Sequence, residues 1–218
     1  MFQLCPELEE VPKYDFTNVK SVYCLFSGCK KLKAIPNFIT TNVTNMQRMV
    51  YSCESITEFP LLDTINVTDM QYMFHGCIRL TSIPQLNTAK VKNMSWMFQN
   101  CSSLIEIPEL DGSSATAVSY MFNNCTALTA LGGIKDVGKA FIGTSSNNGN
   151  YKLDLSTCPN LTHDSLMNII NKLYDLNLTY NVANGGTLYT QSLYIGSTNK
   201  SKLTAEEIAL ATAKRMDC

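Results

Sequence analysis

A 24-residue period governs the first part of the chain. The motif MFxxCxxLxxIP recurs, and each of its columns keeps the same interval from copy to copy. The cysteine column comprises Cys29, Cys53, Cys77, Cys101 and Cys125, and the proline column comprises Pro12, Pro36, Pro60, Pro84 and Pro108. A fixed period of roughly 20 to 50 residues is typical of a solenoid, in which each repeat forms one turn and covers its neighbours.

Each repeat holds two groups of apolar residues with different spacing. The first group has the spacing that places side chains on one face of a helix. In one copy this group comprises Val67, Met70, Met73, Phe74 and Cys77. The second group lies in LTSIPQL, residues 80–86, which is too short for a helix and contains Pro84, so we expect a short extended segment. Stacked copies therefore predict an α/β solenoid with a parallel sheet on one face and short helices on the other.

Two sets of polar residues compete to cap these predicted helices. One set contains Asn42 and Asn66, which come just before the helical group. The other set contains Asn45, Asp69 and Asn93, which lie slightly later in each repeat. A side-chain oxygen from either set can accept a hydrogen bond from a free amide of the first turn. The spacing alone does not choose between the two sets.

The regular array ends near residue 134, and the remainder differs in composition. Residues 1–134 form the predicted array, whereas residues 135–218 begin with a loop rich in Gly, Ser and Asn. Two longer units follow, KLDLS before LTHDSLMNIINKLYDL and SLYIG before LTAEEIALATAKRM, and each predicts a strand followed by an amphipathic helix. In the second unit Thr204 and Glu207 have the spacing of a capping box. We expect these units to continue the sheet and to cap its open end.

Composition and charge exclude several classes of function. The net charge is −1, from 17 basic and 18 acidic residues without a basic run, so the electrostatic footprint of a nucleic-acid-binding protein is missing. No segment approaches the roughly 20 apolar residues that span a bilayer. The chain begins in phase with the repeat and without the pattern of a signal peptide, so we expect that a native leader has been removed.

The segments CSSLIEIPELD and NVTDMQYMFHGC resemble the repeats of BspA-like leucine-rich-repeat proteins, which occur on bacterial surfaces and in some phages. The resemblance covers residues 1 to about 134, and the tail is similar to the endings of such arrays. It departs locally at Val50, where Phe is usual, and at Ala115 and Ala117. It implies a right-handed, leucine-rich-repeat-like superhelix and an extracellular or cell-surface role in adhesion or recognition. A virion protein that contacts a bacterial surface is the alternative that the resemblance leaves open.

The chemistry-bearing residues predict neither an enzyme nor a cofactor site. The cysteines lie on the buried stripe and are expected to be free core thiols, although disulfides between stacked copies or a metal site remain alternatives. His75 and His163 lack ligand spacing and are expected at the surface. Gly133, Gly138 and Lys139 have the spacing of a phosphate-binding loop, but Ala140 stands where Ser or Thr would bind magnesium. An enzyme hidden in the C-terminal units is the competing hypothesis.

Two exposed surfaces are candidates for binding a host or bacterial protein or glycan. One column of the repeat, late in the helical group, contains Arg48, Tyr72, Trp96 and Tyr120, which we expect to line up on the outer surface. Such a row either contacts a ligand or stabilises the array by stacking. The second candidate is the outward positions of the extended segments, which include Thr57, Glu58, Thr81, Gln85, Glu106 and Glu109. Solenoids commonly bind through such faces.

Overall fold

Successive repeats stack on one another through their backbones. The computed structural model describes residues 2–137, 152–172, 191–213 and 216–217. In each repeat every second amide of one segment donates to a carbonyl of the next repeat, as between Val22 N and Asn45 O, at 2.9 Å, and between Phe26 N and Met49 O, at 2.8 Å. The same ladder continues to Asn100 N and Asn123 O, at 2.9 Å. We call this part of each repeat the turn segment; residues 46–53 are one copy.

The turn segments are not the short helices that the apolar spacing predicts. Residues 2–137 contain no α-helix. In one copy Met49 N donates to Met46 O and Cys53 N to Val50 O, both at 3.2 Å, which closes successive β-turns. Arg48 and Ser52 have φ values of 55° and 54°, and a positive φ at every fourth residue cannot propagate a right-handed helix. The amides released in this way point along the stack and bind the neighbouring repeat.

The residue before each cysteine carries a sequence signal for these turns. This position has positive φ in every copy and is occupied by Gly28, Ser52, Gly76, Asn100 and Asn124. Gly and Asn are the residues that tolerate the left-handed conformation required at the third position of a type II turn. The column of Gly and Asn therefore competes with the helical spacing of the apolar residues, and it prevails because the neighbouring repeat supplies partners for the amides.

Short parallel strands occupy the opposite side of the last repeats. Strands β1 (Glu106–Ile107) and β3 (Ala130–Leu131) pair in parallel, and so do β2 (Leu110–Asp111) and β4 (Ile134–Lys135). In both pairs each residue lies opposite its equivalent in the next repeat. In the earlier repeats this side has no regular strands, and the single parallel bridges from Ser21 through Asn45, Asp69 and Asn93 to Ala117 lie instead immediately before the turn segments. The predicted parallel pairing is thus present in dipeptide strands.

Polar columns connect the repeats beside the strands. The structure decides between the two sets of capping residues, because the Oδ1 atoms of Asn45 and Asp69 each accept from the amide of the next residue but one, at 2.8 Å. Asn66 instead donates to Thr41 O of the preceding repeat, at 2.9 Å.

A column of buried threonines also connects the repeats, and the sequence did not predict it. The Thr64 hydroxyl donates to Asn87 O at 3.0 Å and accepts from Asn87 N at 2.8 Å.

The C-terminal part contains helices and a separate sheet. Helix α1 (His163–Lys172) confirms the predicted amphipathic helix and buries Ser165, Leu166, Ile169 and Ile170. Strands β5 (Lys152–Asp154), β6 (Gln191–Tyr194) and β7 (Met216–Asp217) form a parallel sheet in the order β5–β6–β7. Helices α2 (Gly196–Lys200) and α3 (Ala205–Ala213) follow β6. Thr204 and Glu207 bond reciprocally, at 2.8 and 3.2 Å, so the predicted capping box is confirmed.

Helix α1, rather than another strand of the same sheet, covers the free edge of β3. Leu131 N donates to the Ser165 hydroxyl at 3.0 Å, and the ammonium group of Lys172 donates to Gly132 O at 2.6 Å. This differs from the expectation that the C-terminal units would continue the sheet. A helix can cover this edge because its side chains provide the donors and acceptors that a strand would otherwise supply.

The thiols of the cysteine column donate to backbone carbonyls of the preceding repeat. Cys53 Sγ lies 3.1 Å from Phe26 O, Cys101 Sγ lies 3.0 Å from Phe74 O, and Cys158 extends the column with 3.2 Å to Phe122 O. The eight described cysteines are all free, and seven of them are buried as predicted, whereas Cys5 is only half-buried. Burial raises the pKa of Cys101 to about 12.

One core position breaks the phenylalanine column and is balanced within its own repeat. Phe74 and Phe98 stack with ring centroids 5.4 Å apart, whereas Val50, fully buried, takes the preceding place in the column. Further along the same repeat Phe59 stands where Ile83 occurs in the next repeat, and its ring contacts Phe74 edge-on at 4.7 Å. The larger residue at one position thus accompanies the smaller residue at the other, as close packing requires.

We predict that Val50→Phe overpacks the core and lowers the free energy of unfolding by about 1–3 kcal/mol. Adding Phe59→Ile restores the pair of residue types found in the next repeat. The double variant should therefore be less destabilised than the sum of the two single variants by more than about 0.5 kcal/mol. Denaturant unfolding of all four proteins measures this coupling, and strict additivity would contradict the proposed exchange of volume.

We also predict that alkylation separates the cysteines by burial. In the native protein near pH 8 iodoacetamide should leave Cys101 unmodified, because its thiol is buried and protonated. The half-exposed Cys5 serves as the internal control and should react. After unfolding without reductant both should be labelled, as peptide mass spectrometry would show. Labelling of native Cys101, or protection of Cys101 after unfolding, contradicts the free, buried thiol.

Candidate functional site

The predicted outer row forms one continuous stack on the turn segments. Tyr72 and Trp96 have ring centroids 4.9 Å apart with an interplanar angle of 7°, and Trp96 and Tyr120 follow at 5.8 Å and 15°. The Arg48 guanidinium carbon lies 4.9 Å from the centroid of Tyr72 and ends the stack on its N-terminal side. The structure therefore brings together all four residues that the repeat spacing singled out. We call the outward side chains of the turn segments the turn face.

The stack depends on an unusual backbone conformation. Arg48, Tyr72, Trp96 and Tyr120 have φ between 55° and 58°. The left-handed conformation costs a residue with a side chain about 1–2 kcal/mol. Stacking of neighbouring rings contributes about 0.5–1.5 kcal/mol per pair, which offsets much of this cost. Because the ring faces cover one another, the row presents ring edges to solvent, and Tyr120 at its end is 49% exposed.

A second, shorter stack lies beside the first and was not anticipated. Tyr51 and His75 are parallel, with centroids 4.6 Å apart and an angle of 6°. Tyr51 meets Tyr72 edge-on at 6.1 Å, and the guanidinium carbon of Arg48 lies 5.9 Å from the Tyr51 ring. His75 is half-buried rather than a surface residue, which corrects the sequence-based expectation. The sequence offered one signal, since Tyr51 and His75 occupy equivalent positions of successive repeats.

Amide side chains complete the turn face. Gln47 donates to Gln71, and Asn124 Nδ2 donates to Asn100 Oδ1 at 2.9 Å. Gln99 donates to the side chain of Asn123 at 3.0 Å. The outward positions in residues 47–52, and their equivalents in the following three repeats, therefore hold aromatic, amide, hydroxyl and imidazole groups together with one arginine. They include neither a carboxylate nor an aliphatic side chain.

The second candidate surface lies on the strand side, as predicted. Its predicted members are all exposed, and they are Thr57, Glu58, Thr81, Gln85, Glu106 and Glu109. Glu58 and Glu106 occupy the same column of the repeat, but they are two repeats apart. Ser82 occupies this column in the repeat between them. Glu109 forms an ion pair with Lys172 of α1, so part of this surface already bonds within the chain.

Helix α1 and the strand surface border a cleft. Its volume is about 480 Å³, and its lining includes Gln85, Glu106, Asp164 and Asn168. Gly132 allows the chain to pass closely at this point, because a Cβ atom there would lie 2.5 Å from Glu109 N. The cleft opens to solvent between exposed carboxylates, but no buried, unpaired polar side chain points into it among its described lining residues.

The remaining candidate residues are dispersed. His163 is exposed at the start of α1 and contacts Glu207 of α3 through Nε2, at 2.9 Å. Gly133 lies against α1, whereas Gly138, Lys139 and Ala140 of the phosphate-loop-like segment lie outside the described residues. Within the described part of the chain no group of three His, Cys, Asp or Glu side chains converges on a point where a metal ion would bind.

Comparison with known families assigns the array. A family profile described as "Mycoplasma protein of unknown function, DUF285" matches residues 1–76 and 33–133. The two matches together span residues 1–133 of 218, which is more than half of the chain. The chain belongs to the DUF285 family. This family is found in BspA-like surface repeat proteins, in agreement with the resemblance of the repeats.

No curated protein and no solved structure is significantly similar to the chain. Within the described residues, no helix has the length and apolar character that crossing a bilayer requires.

The two histidines should affect stability in opposite directions as the pH changes. The hydrogen bond with Glu207 raises the pKa of His163 above its ordinary value of 6.5. The contribution of this interaction to the stability of the fold is therefore complete below pH 6.5 and is lost as the pH rises through the raised pKa of His163. Burial lowers the pKa of His75. Below its ordinary pKa of 6.5 the unfolded chain takes up a proton that the folded chain resists, so this residue lowers stability in acid.

We predict that thermal unfolding of His163→Ala and His75→Phe at about pH 5.5 and pH 9 separates these effects. The melting temperature of the wild type should exceed that of His163→Ala by more at the acidic pH than at the alkaline one. The melting temperature of the wild type relative to that of His75→Phe should be lower at the acidic pH than at the alkaline one. Phenylalanine keeps a ring in the stack without a titrating group, so only the wild type is destabilised by acid at this position. Margins that do not change with pH would contradict both assignments.

Proposed function

We propose that this protein is a non-catalytic recognition or adhesion module of a cell surface or of a secreted protein. Its family, which occurs in surface repeat proteins, supports the location and the class of function. The turn face is proposed as the binding surface, and the continuous row of Arg48, Tyr72, Trp96 and Tyr120 is the observation that carries this choice. Protein and glycan ligands are both compatible with such a row.

The chemistry of the turn face supports recognition more strongly than that of the strand side. Tyr, Trp and Arg are the residues on which binding energy is concentrated in known interfaces. Their positions are rigid, since Trp96 is held between Tyr72 and Tyr120, so little side-chain entropy would be lost on binding. On the strand side, by contrast, Glu109 is engaged by Lys172, and Lys33 pairs with Glu9 at 2.8 Å.

A non-catalytic role is proposed because the described residues suggest no reaction. His163, the more exposed histidine, is engaged by Glu207 rather than by a nucleophile. The thiol of Cys101 has a pKa of about 12 and lies in the core, so it does not provide a thiolate at neutral pH. An extended row of side chains without a convergent polar pocket suits binding to a surface.

We predict that Trp96→Ser combined with Tyr120→Ser weakens adhesion by more than about tenfold, the loss expected for hot-spot aromatic residues. The measurement is binding to immobilised extracellular-matrix proteins and to a glycan array. Thr81→Ala combined with Gln85→Ala, on the strand side, is the matched control and should bind like the wild type. Circular dichroism establishes that both variants fold. Loss of binding in the control alone would move the binding surface to the strand side.

A further inference from the structure

Arg48 is a cation without a counter-charge. Within the described residues its guanidinium has no hydrogen-bond acceptor and no carboxylate partner, and its Nε is shielded from solvent as well as unpaired. The Arg48 side chain is half-buried, and Nε is the only nitrogen of its guanidinium that is both shielded and unpaired. Asp69, the carboxylate next to the turn face, accepts the amide of Gln71 at 2.8 Å instead. The guanidinium as a whole therefore lacks an anionic partner, and an external carboxylate at its Nη groups would supply one.

The surroundings hold the guanidinium in place. Its carbon lies 4.9 Å from the Tyr72 centroid and 5.9 Å from the Tyr51 centroid, so two rings limit its orientation. His75 stacks on Tyr51, one of these two rings, and its Nδ1 atom is a second nitrogen that is shielded from solvent and unpaired. A guanidinium positioned by aromatic rings presents its Nη groups as a rigid fork, the geometry that binds a carboxylate with two parallel hydrogen bonds.

The side chains around the Arg48 guanidinium indicate which class of ligand would fit. The hydroxyls of Tyr51 and Tyr72 and the amides of Gln47 and Gln71 are suited to a ligand rich in hydroxyl groups. Apart from Leu4, which lies in the ladder at the N-terminal end of the array, the exposed aliphatic side chains lie outside the outward positions of the turn face. They include Ile39, Leu61, Ile65, Ile78 and Ile105. Carboxylate complementarity and many hydroxyls occur together in an acidic sugar.

We propose that Arg48 anchors a carboxylated sugar at the end of a glycan, with Tyr51, Tyr72 and His75 forming the walls of the site and the row through Trp96 contacting the following sugars. This inference rests on the proposed recognition function and specifies its ligand. An acidic peptide is the competing occupant, since its carboxylate would also satisfy Arg48.

The test is a calorimetric or NMR titration of the protein with sialyllactose, a carboxylated trisaccharide, and with lactose, which lacks the acidic sugar. We expect the wild type to bind sialyllactose at least about tenfold more tightly than lactose, as loss of a charge-assisted bidentate contact implies. Arg48→Gln should reduce sialyllactose binding to the level of lactose, and Arg48→Lys should recover only part of it, because an ammonium lacks the fork.

Arg79→Gln removes another exposed arginine and is the matched control, which should behave like the wild type. Near-ultraviolet circular dichroism establishes that the ring stacks persist in Arg48→Gln. Equal binding of both sugars, absence of binding to either, or a preference that survives in Arg48→Gln would overturn the carboxylated-sugar site. A triglutamate peptide that competes as well as sialyllactose would overturn the choice of a sugar.

These outcomes are distinct from failure of the recognition function itself. If the acidic sugar does not bind but Trp96→Ser with Tyr120→Ser still abolishes adhesion, the turn face remains the binding surface and only the ligand class is wrong. If adhesion is unaffected by both changes, the recognition function of this face fails together with the sugar site.

Discussion

The hydrogen bonds between backbone groups of successive repeats are the constraint on which the rest of this protein depends. Each turn segment lies on the next, and amides such as Val50 N have their acceptor, here Met73 O at 3.1 Å, in another repeat. These groups are buried with the core residues, so leaving them unpaired would cost far more than a surface hydrogen bond contributes. One repeat alone therefore cannot satisfy its own backbone, and the array needs covered ends.

The side-chain columns follow from this backbone ladder. Because each residue stands above its equivalent, identical side chains meet along the stack and interact in rows. The thiol of Cys101 reaches a carbonyl of the preceding repeat, and the Phe74 and Phe98 rings stack at 5.4 Å. On the outside the same register stacks Tyr72 on Trp96. The candidate binding surface is thus a consequence of the architecture, and its strained φ values are maintained by the bonds between repeats.

The ends of the array require different chemistry from its middle. Helix α1 replaces the missing repeat beside β3, where the Ser165 hydroxyl and the Lys172 ammonium pair with backbone groups. Further along, the Nδ2 group of the buried Asn199 shares its two hydrogens among the carbonyl oxygens of Leu155, Cys158 and Ile195, at 3.2, 3.1 and 3.0 Å. Side chains with several donors can end a stack that backbone amides alone would continue, which explains why the C-terminal units are longer and less regular than the repeats.

The sequence by itself determined the repeat register, the buried columns, helix α1 and the membership of the outer row, because each depends on which side chains recur and on their polarity. Only the tertiary structure decided that the apolar groups adopt turns rather than helices, that Asn45 and Asp69 cap them, and that Tyr51 and His75 join Arg48. The physical reason is that apolar spacing specifies which side chains are buried, whereas the conformation of the backbone depends on where its amides find acceptors. Here those acceptors lie in the next repeat, at a separation along the chain that local sequence patterns do not report.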